Sequence, residues 1–276
     1  MHDLDAAAEL YRQLGFQVGA RNRHPRAWGT QNHIVQLPGT VIELLSVADE
    51  SGIAPHAQRH FSFGAFNRDF LKQGAGLAML VLDGKGASDV AEFRSAGIGD
   101  FELYELKREG NRPDGSTIKV AFALAFAANP LAPETGFFTC LHHHPENFWN
   151  PAFQIHPNKA MNVAGVVFVA ENPDEQRCFF AAFSGAHEVT PALDGFVINT
   201  GRGDIQVMTP AAFGDQYGVA PSDVTGGASF AAVRFAVRDL GSARPFMASA
   251  RDHKNRLVLG PQDAMGAVLL FEKAAE

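Results

Sequence analysis

The chain has 276 residues, 46% hydrophobic and 19% charged, with 23 basic against 30 acidic side chains and a formal charge of −7. These are globular proportions, so a disordered tail, a collagen-like repeat and a disulfide mini-scaffold are excluded. At roughly 150 residues per domain the length suggests two domains or one large one.

The first segment, 5–14, is amphipathic and stopped by Gly15, which predicts a helix. Strand-like runs follow at 16–21, 32–37 and 40–45. A second group starts with a strand over 76–83 and a short helix over 87–96 closed by Gly97, followed by strands at 101–107, 117–127 and 136–143. The same order recurs as strand 163–170, helix 174–183 and strands 195–199 and 203–208. It recurs again as strand 230–237, a weak helix over 240–250 and strands 257–259 and 266–272. The repeated unit is β-α-β-β-β, and the first copy lacks its opening strand. That gap predicts a natural start upstream of Met1, by a strand of about 8 to 10 residues.

Helices cover one face of each such sheet and leave the other to curl round a cleft. The predicted fold is therefore α+β, with four modules paired into two incomplete barrels. Residues 1–145 would form one barrel, the Pro- and Asn-rich stretch 146–162 a linker, and 163–276 a second, degenerate barrel serving as a structural or dimerising half.

Other partners and compartments are read from what the chain lacks. No basic block is present, which makes nucleic acid a poor partner. The longest apolar runs, 120–128 and 163–170, fall well short of the ~20 residues of a membrane helix. The opening MHDLDAAAEL has no secretory pattern. Cys140 and Cys178 form neither a disulfide framework nor a CxxC site. A soluble cytoplasmic protein with a small-molecule substrate is expected, and a homodimer is left open. Phe is abundant at 23 residues against 3 Tyr and 2 Trp. Thick sheet cores explain most of these; an aromatic-lined cleft is the sharper alternative.

Glu43 is the best single site position. Strand alternation puts it on one face with Val41 and Leu45, and a carboxylate on an apolar face must be paired, metal-bound or protonated. It reads as a metal ligand or general base; the plain alternative is a sheet-edge Glu facing water. His142, His143 and His144 form the loudest chemical signal. If the strand continues, Cys140, His142 and His144 share a face, and two His at i and i+2 can ligate one metal, bind an oxyanion or shuttle a proton. The alternative is a strand end whose His residues cap carbonyls. His143, Glu146 and Trp149 follow as rim residues, Phe63 belongs to an aromatic segment beside the cleft, and His33 is a secondary candidate on the alternate face of its strand. Gly-x-Ser-x-Gly, phosphate-loop and dinucleotide motifs are absent from the sequence.

The opening Asp3-Leu-Asp-Ala-Ala-Ala-Glu-Leu-Tyr-Arg-Gln-Leu-Gly-Phe16, with Asn32-His-Ile-Val-Gln-Leu37 and Val41-Ile-Glu-Leu-Leu45, resembles the vicinal oxygen chelate superfamily. Within it the chain is most similar to the glyoxalase-like domain group, where Arg59-His-Phe-Ser-Phe-Gly64 and His142-His-His-Pro-Glu-Asn-Phe-Trp149 also match. The resemblance implies a divalent metal (Zn, Mn, Ni or Fe) with ligands on first and fourth strands. The fourth-strand position of module one is Glu43, of module two Thr139 or Cys140, and of module three Gln206. First-strand positions fall at or next to Gly76, Gly165 and Ala232, none of which offers a ligating side chain. A metal would then use Glu43, His142 and His144, with Glu43 and His144 catalytic. The implied activity is isomerase, lyase or dioxygenase chemistry through an enediolate-type intermediate; the alternative is a metal-free small-molecule binding protein.

Overall fold

The protein is described from a computed structural model covering residues 1–111, 117–192, 194–221 and 223–274. Helix α1 (Leu4–Gln13) starts where the Asp3 side chain accepts from the Ala6 N–H at 2.9 Å, and it buries Leu4, Ala7, Ala8 and Tyr11, one helical stripe. Gly15 ends it at φ +79°, where a Cβ would stand 2.7 Å from the Phe246 ring and 2.8 Å from Asn158. Both the dihedral and the close approach require glycine.

Strands β1 (Asn22–Arg23), β2 (Thr30–Leu37) and β3 (Thr40–Val47) form an antiparallel three-stranded sheet. The strand expected over 16–21 is displaced and shortened to β1. Gln17 gives its N–H to His156 Nδ1 at 3.0 Å instead of to a neighbouring strand, and Pro25 follows β1 closely. Helix α2 (Phe63–Gln73), capped by Ser62, precedes β4 (Met79–Asp83), α3 (Ala87–Ser95), β5 (Tyr104–Asn111), β6 (Thr117–Ala127) and β7 (Gly136–His142). These strands form a mixed sheet in the order β4-β7-β6-β5, with β4 parallel to β7.

A short helix α4 (Pro145–Phe148) and a 3-10 turn (Pro151–Gln154) occupy the expected linker. They are stitched to β2: Gln36 donates to Phe148 O at 2.8 Å and accepts from Asn150 N–H at 3.0 Å. The next strand, β8 (Ala160–Val169), starts earlier than the predicted 163. Then come α5 (Arg177–Ser184), β9 (Thr190–Ala192), β10 (Gly195–Asn199), β11 (Asp204–Met208) and α6 (Pro210–Tyr217). The chain ends with β12 (Ser229–Val237), α7 (Leu240–Ala243), β13 (Arg251–His253), β14 (Arg256–Leu259) and β15 (Val268–Lys273). These strands make one eight-stranded mixed sheet, β13-β14-β15-β12-β8-β11-β10-β9, joined at its centre by the antiparallel β12–β8 pair. The fold is thus α+β with mixed sheets, and among the described residues no sheet closes into a barrel.

The main core lies where the helices meet the backs of the sheets. Phe137 of β7 packs its ring against Phe168, Phe179, Phe180 and Phe183, with centroids 4.7 to 5.9 Å apart. Phe16 packs likewise against Phe235 and Phe271. This cluster draws residues from both sides of 146–162, and it accounts for much of the Phe excess. Each buried ring contributes about 1.5–3 kcal/mol of transfer free energy.

Candidate functional site

The β1–β3 and β4–β7 sheets, with α2 and residues of β8, β11 and β12 from the eight-stranded sheet, line a cavity of about 750 Å³. The β2–β3 register sets Asn32 across from Leu45 and Ile34 across from Glu43, so Asn32, Ile34, Glu43 and Leu45 project inward together. Ahead of β2, Trp28 N–H bonds to Pro25 O at 2.9 Å in a turn closed by Gly29. Gly29 has φ +62°, and a Cβ there would lie 2.2 Å from Asp49 O, so only glycine allows this turn. The turn swings His24 and Trp28 into the cavity.

The polar end is a small network. Asn32 Nδ2 donates to Glu43 Oε1 at 2.5 Å and lies 3.1 Å from His24 Nε2. His24 Nδ1 is 2.8 Å from Thr30 Oγ1, and His24 Nε2 is 3.5 Å from Glu43 Oε1. Asn32 Oδ1 accepts from Asn22 Nδ2 at 3.3 Å, which fixes the amide with both its hydrogens toward His24 and Glu43. His24 Nε2 must then be an acceptor, so the ring is neutral, with its proton on Nδ1 facing Thr30. Electrostatics agree: burial lowers the His24 pKa, Glu43 raises it in part, and Arg108 lowers it further.

Aromatic rings form the walls. Trp28 stacks on Phe63 at 4.3 Å, the first residue of α2, and packs against Tyr104 at 5.2 Å; Phe63 meets Phe138 edge-on at 6.2 Å. Asp83, Cys140, His142 and Trp149 also line the cavity. Burial, aided by Glu43 and Asp83, pushes the Cys140 thiol up to about 12, so it is no nucleophile at neutral pH. The cavity touches Val41 and Glu43 but also Ile42 and Leu44, and likewise Val81 and Leu82. It therefore runs between the facing edges of β3 and β4, between which no strand lies among the described residues.

The expected residues separate into two groups. Glu43, His142, Phe63 and Trp149 line the cavity. His142 is enclosed edge-on by Phe122 at 4.7 Å and Phe148 at 4.6 Å; its buried Nδ1 has no hydrogen-bond partner, and burial lowers its pKa. His144 does not share its face, because β7 ends at His142 and Pro145 opens α4. It lies outside with Nδ1 3.5 Å from the exposed Glu146 carboxylate. His143 and His144 border a surface groove with Lys107 and Lys119. His33 is buried on the helix side of β2, its Nδ1 2.7 Å from Gly19 O. Sequence reasoning missed His24, Trp28 and Asn32. His24 and Trp28 carry no motif, but Asn32 was legible as a polar residue on the strand beside Glu43, on the same face by alternation.

The expected metal set Glu43, His142 and His144 is not assembled. Among the described residues no group of three or more His, Cys, Asp or Glu side chains comes together to hold an ion. The two nearest donors, Glu43 and His24, are both hydrogen-bonded to the Asn32 amide. The residues present do not fit a three-ligand centre.

The eight-stranded sheet treats its corresponding face differently. There α6 lies across the strands, packing Phe213 and Tyr217 on Val167, Val169, Met208 and Leu270. Beside them Arg234 donates to Asp204 and to Glu272, each at 2.6 Å, and Arg256 donates to Glu272 at 2.8 Å. Gln206, the fourth-strand position of this region, accepts from Tyr217 Oη at 2.9 Å. No helix among the described residues is long and apolar enough to cross a membrane.

The fold has solved counterparts. A crystal structure of a hypothetical protein from Staphylococcus aureus superimposes with a TM-score of 0.64 at 12% identity, covering 99% of this chain and 96% of that one. The overlap with a candidate dioxygenase from Bacillus subtilis is slight: TM-score 0.34, 11% identity, 73% of this chain and 64% of that one. No curated protein sequence matches the chain. Residues 1–182, which include every residue of the cavity's polar end, match the model of the glyoxalase-like domain. The chain belongs to the glyoxalase-like domain family.

Proposed function

We propose that the cavity is an active site for a small oxygenated organic molecule, with Glu43 as general base. In this reading the sheets are four β-α-β-β-β modules paired into two open barrels. Residues 1–145 carry the polar end of the site, and 163–276 are a structural half that also closes part of the cavity wall.

The observation that carries it is the Glu43 carboxylate held inward by Asn32 at 2.5 Å, beside a neutral His24, in a cavity walled by Trp28, Phe63, Phe122 and Phe138. An ionised carboxylate within reach of an acidic C–H is a competent base. Glu43 Oε takes the proton from a carbon next to a carbonyl, the C–H bonding pair moves into a new C=C bond, and the carbonyl π pair moves onto oxygen. The resulting enolate, an enediolate when the carbon also carries hydroxyl, is reprotonated by the acid form of Glu43. Asn32 restrains the carboxylate, and the aromatic rings hold the flat intermediate and exclude water. Cys140 takes no part, being a protonated thiol.

The test is deuterium incorporation at C3 of phenylpyruvate in D₂O, followed by NMR. The wild-type chain should accelerate exchange over free solution and Glu43→Gln should not; equal rates would refute the reading. Metal content is measured on the same samples. One metal ion bound per chain and lost in Glu43→Gln would replace this mechanism with a metal-assisted one.

A further inference from the structure

Several arginines border the cavity or face inward from the sheets, and three of them are neutralised within the protein. Arg234 and Arg256 are bound to Asp204 and Glu272, as above. Arg202, on the turn before β11, reaches across to Asp83 at 2.5 Å and to Gly39 O at 2.9 Å. Arg23 and Arg108 also line the cavity, and neither has a side-chain hydrogen bond or ion pair among the described residues. Arg23 lies on the alternate face of β1 from Asn22, which leaves Arg108. It belongs to the β5 row Tyr104, Leu106 and Arg108, which alternation places on one face, and Tyr104 of that row packs against Trp28 in the cavity wall. Arg108 lines the cavity and bears electrostatically on His24, yet among the described residues it has no hydrogen bond and no ion pair. Its neighbour Lys107, on the alternate face, is paired with Glu105 at 3.1 Å.

A guanidinium without an internal partner, exposed where it borders both the cavity and the surface groove of His143 and His144, offsets repulsion from the Glu43 carboxylate that would otherwise turn an anion away. Its planar fork matches a carboxylate through two parallel hydrogen bonds. The walls between Arg108 and Glu43 are aromatic and suit a flat apolar body. We infer that Arg108 is the anion-binding group of the cavity, and that the site selects carbonyl compounds carrying a carboxylate on a planar or apolar body, as in an aromatic 2-oxo acid. The carboxylate anchors on Arg108 and leaves the acidic C–H toward Glu43. This inference rests on the cavity reading above but not on Glu43 being the base.

The test is calorimetric titration of the full chain with phenylpyruvate and with its methyl ester, which keeps the ring and ketone but not the charge. In the wild type the acid should bind at least about tenfold tighter than the ester, about 1.4 kcal/mol. Arg108→Gln should abolish that preference and leave ester affinity unchanged, which also shows that the variant is folded. Arg108→Lys should keep part of the preference, and Glu43→Gln should bind the acid as well as the wild type or better. Equal affinity for acid and ester in the wild type, or a preference that survives in Arg108→Gln, would overturn the anion site while leaving the cavity reading intact. Failure of both probes to bind the wild type would overturn both.

Discussion

The two regions of this molecule, one on the three- and four-stranded sheets and one on the eight-stranded sheet, end in opposite states. On the eight-stranded sheet, α6 lies over the strands, Tyr217 fills the middle, and Arg234, Arg256, Asp204 and Glu272 satisfy one another. On the β1–β3 and β4–β7 sheets, α2 lines the wall through Phe63, Asn67, Phe70 and Leu71 without filling the space, and Glu43, His24 and Arg108 border the cavity. The difference teaches where function can reside. A buried charge is tolerable when paired, and the second region pairs its inward-facing arginines internally. The first keeps a carboxylate and a guanidinium apart, which serves a ligand better than it serves stability.

The contrast is broken most sharply at Glu43. Glu43→Gln should lower exchange activity by about 10²- to 10⁴-fold, the usual range for a general base, with thermal stability unchanged. Gln206→Ala, at the corresponding strand position of the second region, should leave the rate within about twofold. A comparable loss in both would end the distinction.

Next in size is the ion-pair network. Arg234→Met leaves Asp204 and Glu272 facing each other in a largely buried site and should cost about 3–5 kcal/mol in denaturant unfolding. Adding Asp204→Leu and Glu272→Met should recover much of that loss. Activity per folded molecule should change far less in either variant than in Glu43→Gln.

The same network sets an acid response. Burial pushes the Glu272 pKa up, but hydrogen bonds and charges from Arg234 and Arg256 outweigh it and hold the group below its ordinary value. A depressed carboxylate pKa means the folded state binds protons less readily than the unfolded one. Its stabilisation is therefore present above the unfolded value of about 4.3 and is lost as pH falls through the folded value. Asp204 is raised, chiefly by burial, and works in the opposite sense, its penalty at neutral pH being relieved on acidification. Glu272→Gln should flatten the fall in stability below about pH 4; a steepened fall would contradict the assignment. The smallest effect is expected for Tyr217→Phe, which removes the hydrogen bond to Gln206 and should cost about 1 kcal/mol with activity unaltered.

Much of the architecture was legible because it rests on local periodicity. Alternation over 40–45 put Glu43 opposite the buried Leu44, and the order of strand-like and helical runs gave the α+β class. What escaped depends on long-range register or on chain reversal. His24 gains meaning only when the β1–β2 pair brings it to Asn32, and a single His before Pro25 carries no sign of that. His144 was placed inward by extending β7 two residues too far, although Pro145 disfavours the helical region for His144 and opens the next helix. Helix α6 begins Pro-Ala-Ala-Phe and holds Gly214 in its middle, so its weak local pattern hid an element that packing stabilises. Arg108 could not be distinguished from any other strand arginine until the carboxylate partners of Arg202, Arg234 and Arg256 were known.

The most direct test of the account is the crystal structure of the protein grown with phenylpyruvate. The account predicts the ring between Trp28, Phe63 and Phe138, the carboxylate on Arg108, and C3 within about 3.5 Å of a Glu43 carboxylate oxygen. A ligand bound away from Glu43, or an empty cavity in crystals whose protein binds the compound in solution, would contradict it.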